Sequence, residues 1–191
     1  MIGDYGTKRA EMSRSQTRRP VPPLNREQLH ELALRYVAKY ATTKSKLGSY
    51  LQRKVRERGW NGPDELAVDA LVERMARSGL VDDATYALSK ARSLSERGYG
   101  MGRVGQALRA SGVADEDGVE ARALAEERAA DAAIRFARRK RIGPFAGQRS
   151  DPKAREKALA AMVRAGHGFD MARKLVDWEP GAEISPEDIA Y

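Results

Sequence analysis

Three glycines divide this chain at nearly even intervals. Each closes a run with helical spacing: Arg58-Gly59-Trp60, Ser111-Gly112-Val113 and Ala165-Gly166-His167. The intervals from 59 to 112 and from 112 to 166 are 53 and 54 residues. An acidic residue follows each glycine: Asp64, Asp115 and Asp170. Glycine ends helices because it adopts the left-handed conformation without steric cost. A period of this length is longer than that of the common helical repeats and holds three helices comfortably. The chain therefore reads as three tandem three-helix modules.

The apolar spacing supports this along the chain. Leu29, Leu32, Ala33, Tyr36, Val37 and Tyr40 recur at three and four, an amphipathic stripe. Thr43 or Ser45 can cap a second helix lined by Leu47, Leu51 and Val55 and stopped by Gly59. Pro63 suits the first turn of a third, striped by Leu66, Ala70, Leu71 and Met75 and ended by Gly79. The grammar then repeats. One helix runs from about Asp83 to Gly98, and another carries Val104 and Leu108 to Gly112. A further run starts near Asp115–Asp117 and reaches Arg141 with no visible breaker, so a joint there is hidden. After a Gly/Pro loop at 142–152 come helices over Ala154–Ala165 and around Met171, Leu175 and Val176.

No segment alternates like a strand with hairpin turns. The fold class is all-α: three tandem three-helix repeats in an elongated, curved helical array. The expected boundaries are a basic, Pro/Ser-rich flexible tail at 1–25, modules at 26–79, 80–132 and 133–178, and an acidic C-terminal tail at 179–191.

Chemistry is scarce. The absence of cysteine removes disulfides, thiolate nucleophiles and Cys-bearing metal sites, and only His30 and His167 could offer imidazole. Each is expected at the surface or in a helix cap. Gly100-Met101-Gly102-Arg103-Val104-Gly105 matches a dinucleotide-binding pattern. That chemistry needs a preceding strand, whereas a Lys/Arg-rich helix precedes this one, so the run reads as a turn opening a helix. Asp82-Asp83 and Asp115-Glu116-Asp117 sit at helix starts, where carboxylates complement the helix dipole by ~0.3–1 kcal/mol each. Neither an enzyme, nor a metal, nor a cofactor is expected. No apolar run approaches a membrane span, the N-terminus lacks an apolar signal core, and a cytoplasmic monomer is expected.

Charge is the functional signal. With 35 Lys+Arg against 27 Asp+Glu the chain carries a net +8, which favours an anionic partner. The sign alternates with the repeat: net +6 over 26–62, −4 over 63–88, +4 over 89–112, −5 over 113–133, +7 over 134–157 and −3 over 158–191. Basic patches would then recur along the molecule. Arg138-Arg139-Lys140-Arg141 is the densest cluster. On a helix only part of it faces one way, so Arg138 with Arg141, or Arg135 with Arg139, could grip a phosphate or carboxylate. Tyr99 between Arg97 and Arg103 is either part of a second basic site or a packing wedge between modules.

In order and spacing, these residues resemble the RecX regulatory proteins, modulators of the RecA recombinase. The resemblance runs from Glu27 to Trp178. It rests on Ala33-Leu34-Arg35-Tyr36 with Ser45-Lys46-Leu47 and Leu51, then Gly79-Leu80-Val81-Asp82-Asp83 with Tyr86-Ala87. It continues through Arg97-Gly98-Tyr99-Gly100-Met101-Gly102-Arg103-Val104 with Leu108 and Gly112, and Arg164-Ala165-Gly166 with Phe169-Asp170. Gly48 and His167 depart from the family pattern. The resemblance implies three three-helix repeats. It also implies a non-enzymatic regulator that lodges in the groove of the RecA–DNA filament and suppresses recombinase, ATPase and coprotease activities in DNA repair and the SOS response. Single- or double-stranded DNA is a possible further partner. A helical protein that binds nucleic acid directly, without a recombinase, is the alternative. The residues expected to make the contacts are Lys39, Lys46, Arg53, Lys54, Arg92, Arg97, Tyr99, Arg103, Arg109, Arg138, Arg139 and Arg141.

Overall fold

A computed structural model describes residues 22–63 and 65–190. They form α1 (Arg26–Lys39), α2 (Lys44–Arg58), α3 (Val68–Arg77), α4 (Asp83–Glu96), α5 (Met101–Ala110), α6 (Val119–Glu127), α7 (Ala129–Lys140), α8 (Pro152–Arg164), α9 (Phe169–Asp177) and the short α10 (Pro186–Ile189). A 3-10 turn at Gly143–Phe145 lies between α7 and α8. Among the described residues there is no strand, only an isolated bridge between Leu24 and Trp60.

Local chemistry sets the helix ends. Asn25 starts α1 with a capping box: its side chain accepts from the Gln28 amide, and the Gln28 side chain accepts from the Asn25 amide. Thr43, Asp82 and Asp151 cap α2, α4 and α8 in the same way, each accepting an amide three residues on. The three repeat glycines have φ of 83°, 66° and 92° at Gly59, Gly112 and Gly166, the left-handed stop expected of them.

The apolar faces gather into three cores in chain order. Leu24, Leu29, Leu47, Leu51, Leu71 and Met75 belong to the first. Ala87, Ala91, Leu94, Val104, Leu108 and Ala125 make the second, and Phe136, Met162, Ala172, Leu175 and Ile189 belong to the third. Burying one Leu or Val contributes ~1.5–3 kcal/mol. The Ala-rich second core therefore depends more than the others on its neighbours.

The structure corrects three expectations and locates the hidden joint. Leu24 and Asn25 are not tail: Leu24 is fully buried in the first core, its amide donates to the Gly59 carbonyl at 2.9 Å, and its own carbonyl accepts from Asn61 at 2.8 Å. Residues 1–21 of the expected tail lie outside the described residues. The third helix begins at Val68, beyond Pro63: the chain after Gly59 is first held extended against Leu24, and Leu66 packs on the first core from ahead of the helix. The hidden joint falls at Arg128 (φ −93°, ψ 8°), a turn any residue adopts, so no glycine or proline marks it. The expected acidic tail folds back: Gly181 donates to the Pro144 carbonyl, and Ile189 of α10 is buried in the third core.

Candidate functional site

Two joints connect the three cores, and both are built on helix ends. At the first, the Thr43 hydroxyl caps α2 and donates at 2.6 Å to the carbonyl of Ser111, the C-cap of α5. The Asp83 carboxylate, in the first turn of α4, accepts from the Lys44 amide at 2.9 Å. Burial raises the Asp83 pKa from its ordinary value, against the pull of that bond. The Lys46 ammonium donates to the Tyr86 phenol at 2.6 Å, and Tyr86 in turn meets the Ser111 hydroxyl at 3.2 Å. These bonds hold the Tyr86 pKa below its usual value despite burial.

At the second joint, backbone meets backbone. The Gly100 and Gly102 amides, at the start of α5, donate to the Ala165 and Gly166 carbonyls at the end of α8, both at 3.0 Å. Unpaired donors of one helix thus meet unpaired acceptors of another, with the dipoles head to tail. α5 is joined at its start to α8 and at its end to α2, so the second helices of the three modules form one hydrogen-bonded line. The Gly-rich run that resembled a nucleotide loop serves this approach. A Cβ on Gly100 would overlap the Gly166 carbonyl, and one on Gly102 would lie 3.2 Å from it.

His167, expected at the surface or in a cap, is buried in this joint, 5% exposed. Its ring packs tilted against Phe136, centroids 5.4 Å apart. Nε2 lies 3.2 Å from the Gly98 carbonyl. A carbonyl only accepts, so Nε2 carries the proton. Nδ1 then has no hydrogen-bond partner among the described residues. Desolvation pushes the pKa down to about 4, and the nearby Arg139 charge works in the same direction.

The second joint also collects cations. Tyr99 packs against both the second and the third core. The Arg97 guanidinium lies 5.4 Å from its ring centroid and that of Arg139 6.0 Å. Arg139 also donates to the Arg97 carbonyl. Tyr99 is therefore a wedge whose ring the protein's own cations face. Arg138 lies over Phe145 at 5.0 Å, Arg103 is exposed and donates to Gln106 at 2.7 Å, and Arg141 closes α7 in the left-handed region. Arg92 and Arg109 are exposed on α4 and α5. In the first module Lys39 and Arg53 are exposed, while Lys46 is half-buried and engaged at the first joint. Lys54 is paired with Glu57 at 2.6 Å, and Arg53 reaches the same carboxylate at 3.7 Å. Among the described residues, none of Lys39, Arg92, Arg97, Arg103, Arg109, Arg138, Arg139 and Arg141 makes an ion pair with a carboxylate.

Residues 82–121, spanning α4, α5 and the start of α6, match the family model described as the second three-helix domain of RecX. Regulatory protein RecX of Myxococcus xanthus (strain DK1622) is 40% identical over 165 residues, 80% of this chain and 86% of that protein. The chain belongs to the RecX family of regulatory proteins. The RecX of Halorhodospira halophila (strain DSM 244 / SL1) is 32% identical over 149 residues, 77% of this chain and 85% of that protein. Two RecX crystal structures share the fold. One, from Lactobacillus salivarius, has a TM-score of 0.56 at 16% identity, covering 78% of this chain and 93% of its own. The other has a TM-score of 0.61 at 21% identity, covering 78% of this chain and 71% of its own. The RecX fold thus accounts for the tandem three-helix order.

Sequence reasoning missed three residues here. Tyr36, Tyr40 and Tyr50 line an open groove of about 560 Å³ between α1 and α2. The Tyr36 and Tyr50 rings stack with centroids 4.3 Å apart, and Tyr40 tilts onto Tyr36 at 5.2 Å. The stripe on α1 made Tyr36 and Tyr40 look like core. Their signal was the neighbouring charge: Lys39 lies 5.2 Å over the Tyr40 ring and Arg53 5.6 Å over that of Tyr50. Among the described residues no three His, Cys, Asp or Glu side chains are grouped to hold a metal, and no helix is long and apolar enough to cross a membrane.

Proposed function

We propose that this chain binds the RecA–DNA nucleoprotein filament and inhibits RecA recombinase, ATPase and coprotease activities without catalysing a reaction itself. The observation that carries the reading is the set of exposed arginines without intramolecular carboxylate partners at and around the second joint. Arg97 and Arg139 meet there at the Tyr99 ring, Arg103 lies beside Gly166 in the first turn of α5, and Arg138 lies nearby in sequence on α7, over Phe145. A guanidinium left unpaired by its own protein is available for bidentate contact with a phosphate or carboxylate. The family supplies the second support: its members are regulatory proteins, and the resemblance described above implies RecA as their target. Lys39, Arg92, Arg109 and Arg141 are assigned as further contacts on the same argument, and Arg53, which shares the Glu57 carboxylate with Lys54, on its exposure alone. Lys46 and Tyr99 act by holding the joints on which those contacts are displayed.

The test is the DNA-dependent ATPase of the cognate RecA, with and without this protein. Wild type is expected to suppress it. The double reversal Arg97→Glu with Arg103→Glu is expected to suppress it less, because two attractions become two repulsions. Equal suppression by that variant would remove this surface as the docking face, and no suppression by wild type would remove the function.

A further inference from the structure

We propose that the groove between α1 and α2 is a stacking site for single-stranded nucleic acid. It gives the nucleic-acid side of the reading above a site of its own and is tested without RecA. Three tyrosines and three cations, Arg35, Lys39 and Arg53, line the groove, and no carboxylate does. The Tyr36, Tyr40 and Tyr50 hydroxyls make no hydrogen bond among the described residues, so internal bonding does not explain their clustering. Tyr40, which closes α1, is 48% exposed. Aromatic faces interleaved with cations suit a strand whose bases stack while its phosphates are neutralised.

The cations differ in availability. Arg35 is paired with Glu31, and Arg53 is 3.7 Å from Glu57. Lys39 makes no ion pair among the described residues and lies beside the most exposed ring, so it is assigned the phosphate contact. Duplex DNA does not fit, because its base faces already stack on one another. An acidic peptide would satisfy Lys39 but leave the rings without a flat partner. The second joint offers a contrast: the Tyr99 ring is half-buried against both the second and the third core, and it lacks the exposure of Tyr40.

The experiment measures anisotropy of a labelled oligothymidylate titrated with the full chain, with no RecA present. Unmodified protein is expected to bind it more tightly than an abasic strand of equal length, by about fivefold to a hundredfold, since stacking contributes ~1–3 kcal/mol per base. Tyr40→Ala is expected to lose a similar factor, and Tyr40→Phe, which keeps the ring, to stay within about twofold of wild type. Equal affinity for the abasic strand overturns the proposal, and that comparison does not depend on any variant folding. Equal affinity for duplex DNA, or displacement by polyglutamate as effective as by unlabelled oligothymidylate, also overturns it. A protein that suppresses RecA ATPase yet ignores the oligonucleotide overturns this site alone.

Discussion

Gly100 and Gly166 approach so closely that neither has room for a methyl group. The Gly100 amide donates to the Ala165 carbonyl, and a Cβ on Gly166 would run into the backbone of Arg103. The contact joins the start of α5 to the end of α8, and the glycines are what let two helix ends meet without side chains between them.

Gly100→Ala and Gly166→Ala are accordingly expected to destabilise by more than about 2 kcal/mol, since backbone would have to move. Gly79 also has a positive φ of 71° but faces open space, so Gly79→Ala should cost only about 1 kcal/mol. Gly147 has neither constraint, and Gly147→Ala should be nearly neutral. Urea denaturation of the four variants checks the order.

At the other joint, one hydroxyl serves two helices. Thr43 is fully buried, accepts from the Lys46 amide and donates to the Ser111 carbonyl. Thr43→Val keeps the shape but removes both bonds, and is expected to cost roughly 1–3 kcal/mol. A melting temperature unchanged by this substitution would show that the cap does not couple the modules.

The helices were legible because they carry local signals. Asp82, Asp151 and the positive-φ glycines act within a few residues, and the periodic leucines mark the faces. The fold-back of Ile189 was not legible, because Ile184 and Ile189, five residues apart among Glu183, Glu187 and Asp188, do not make a helical stripe. The site was legible in composition but not in placement. Arg97 and Arg139 are 42 positions apart, and only the joint brings them to one ring. His167 illustrates the limit: the sequence shows a polar residue after a helix stop, and only tertiary packing seats it against Phe136.

Burial of neutral His167 has a pH consequence. Its folded pKa of about 4 lies below the ordinary value of 6.5, so between these values the unfolded chain binds more protons. Stability is expected to be intact above about pH 6.5 and to fall as pH drops toward 4, by on the order of 3 kcal/mol in full. His167→Gln keeps a donor for the Gly98 carbonyl but does not titrate. Thermal melts from pH 7 to pH 4 should therefore show a shallower decline for the variant.

The arginines at the second joint should separate into two kinds. Arg97 and Arg103 are exposed, and reversing both to Glu is expected to change stability by no more than ~0.5 kcal/mol per site while weakening filament binding tenfold or more. Arg139 donates to the Arg97 carbonyl and lies over Phe136, so Arg139→Glu is expected to cost about 1 kcal/mol or more as well. Filament pull-down read beside a denaturation curve distinguishes the two.

Leu24 anchors the first module. Leu24→Ala is expected to destabilise by ~2–5 kcal/mol, as for other fully buried leucines. If chemical denaturation shows less than half that loss, the contact with Gly59 and Asn61 is peripheral to the first module.

Three small cores in a row also set how the molecule comes apart. Each module has only about fifty residues from which to build a core, near the lower limit for independent stability. A chain of such units behaves as a one-dimensional array, its total stability the sum of unit terms and nearest-neighbour terms. The end units have one neighbour each and the middle unit has two. Its alanine-rich core is the weakest on its own, yet it is clamped from both sides. Unfolding should therefore start at the ends and travel inward, and a lesion at either joint should split one cooperative transition into two.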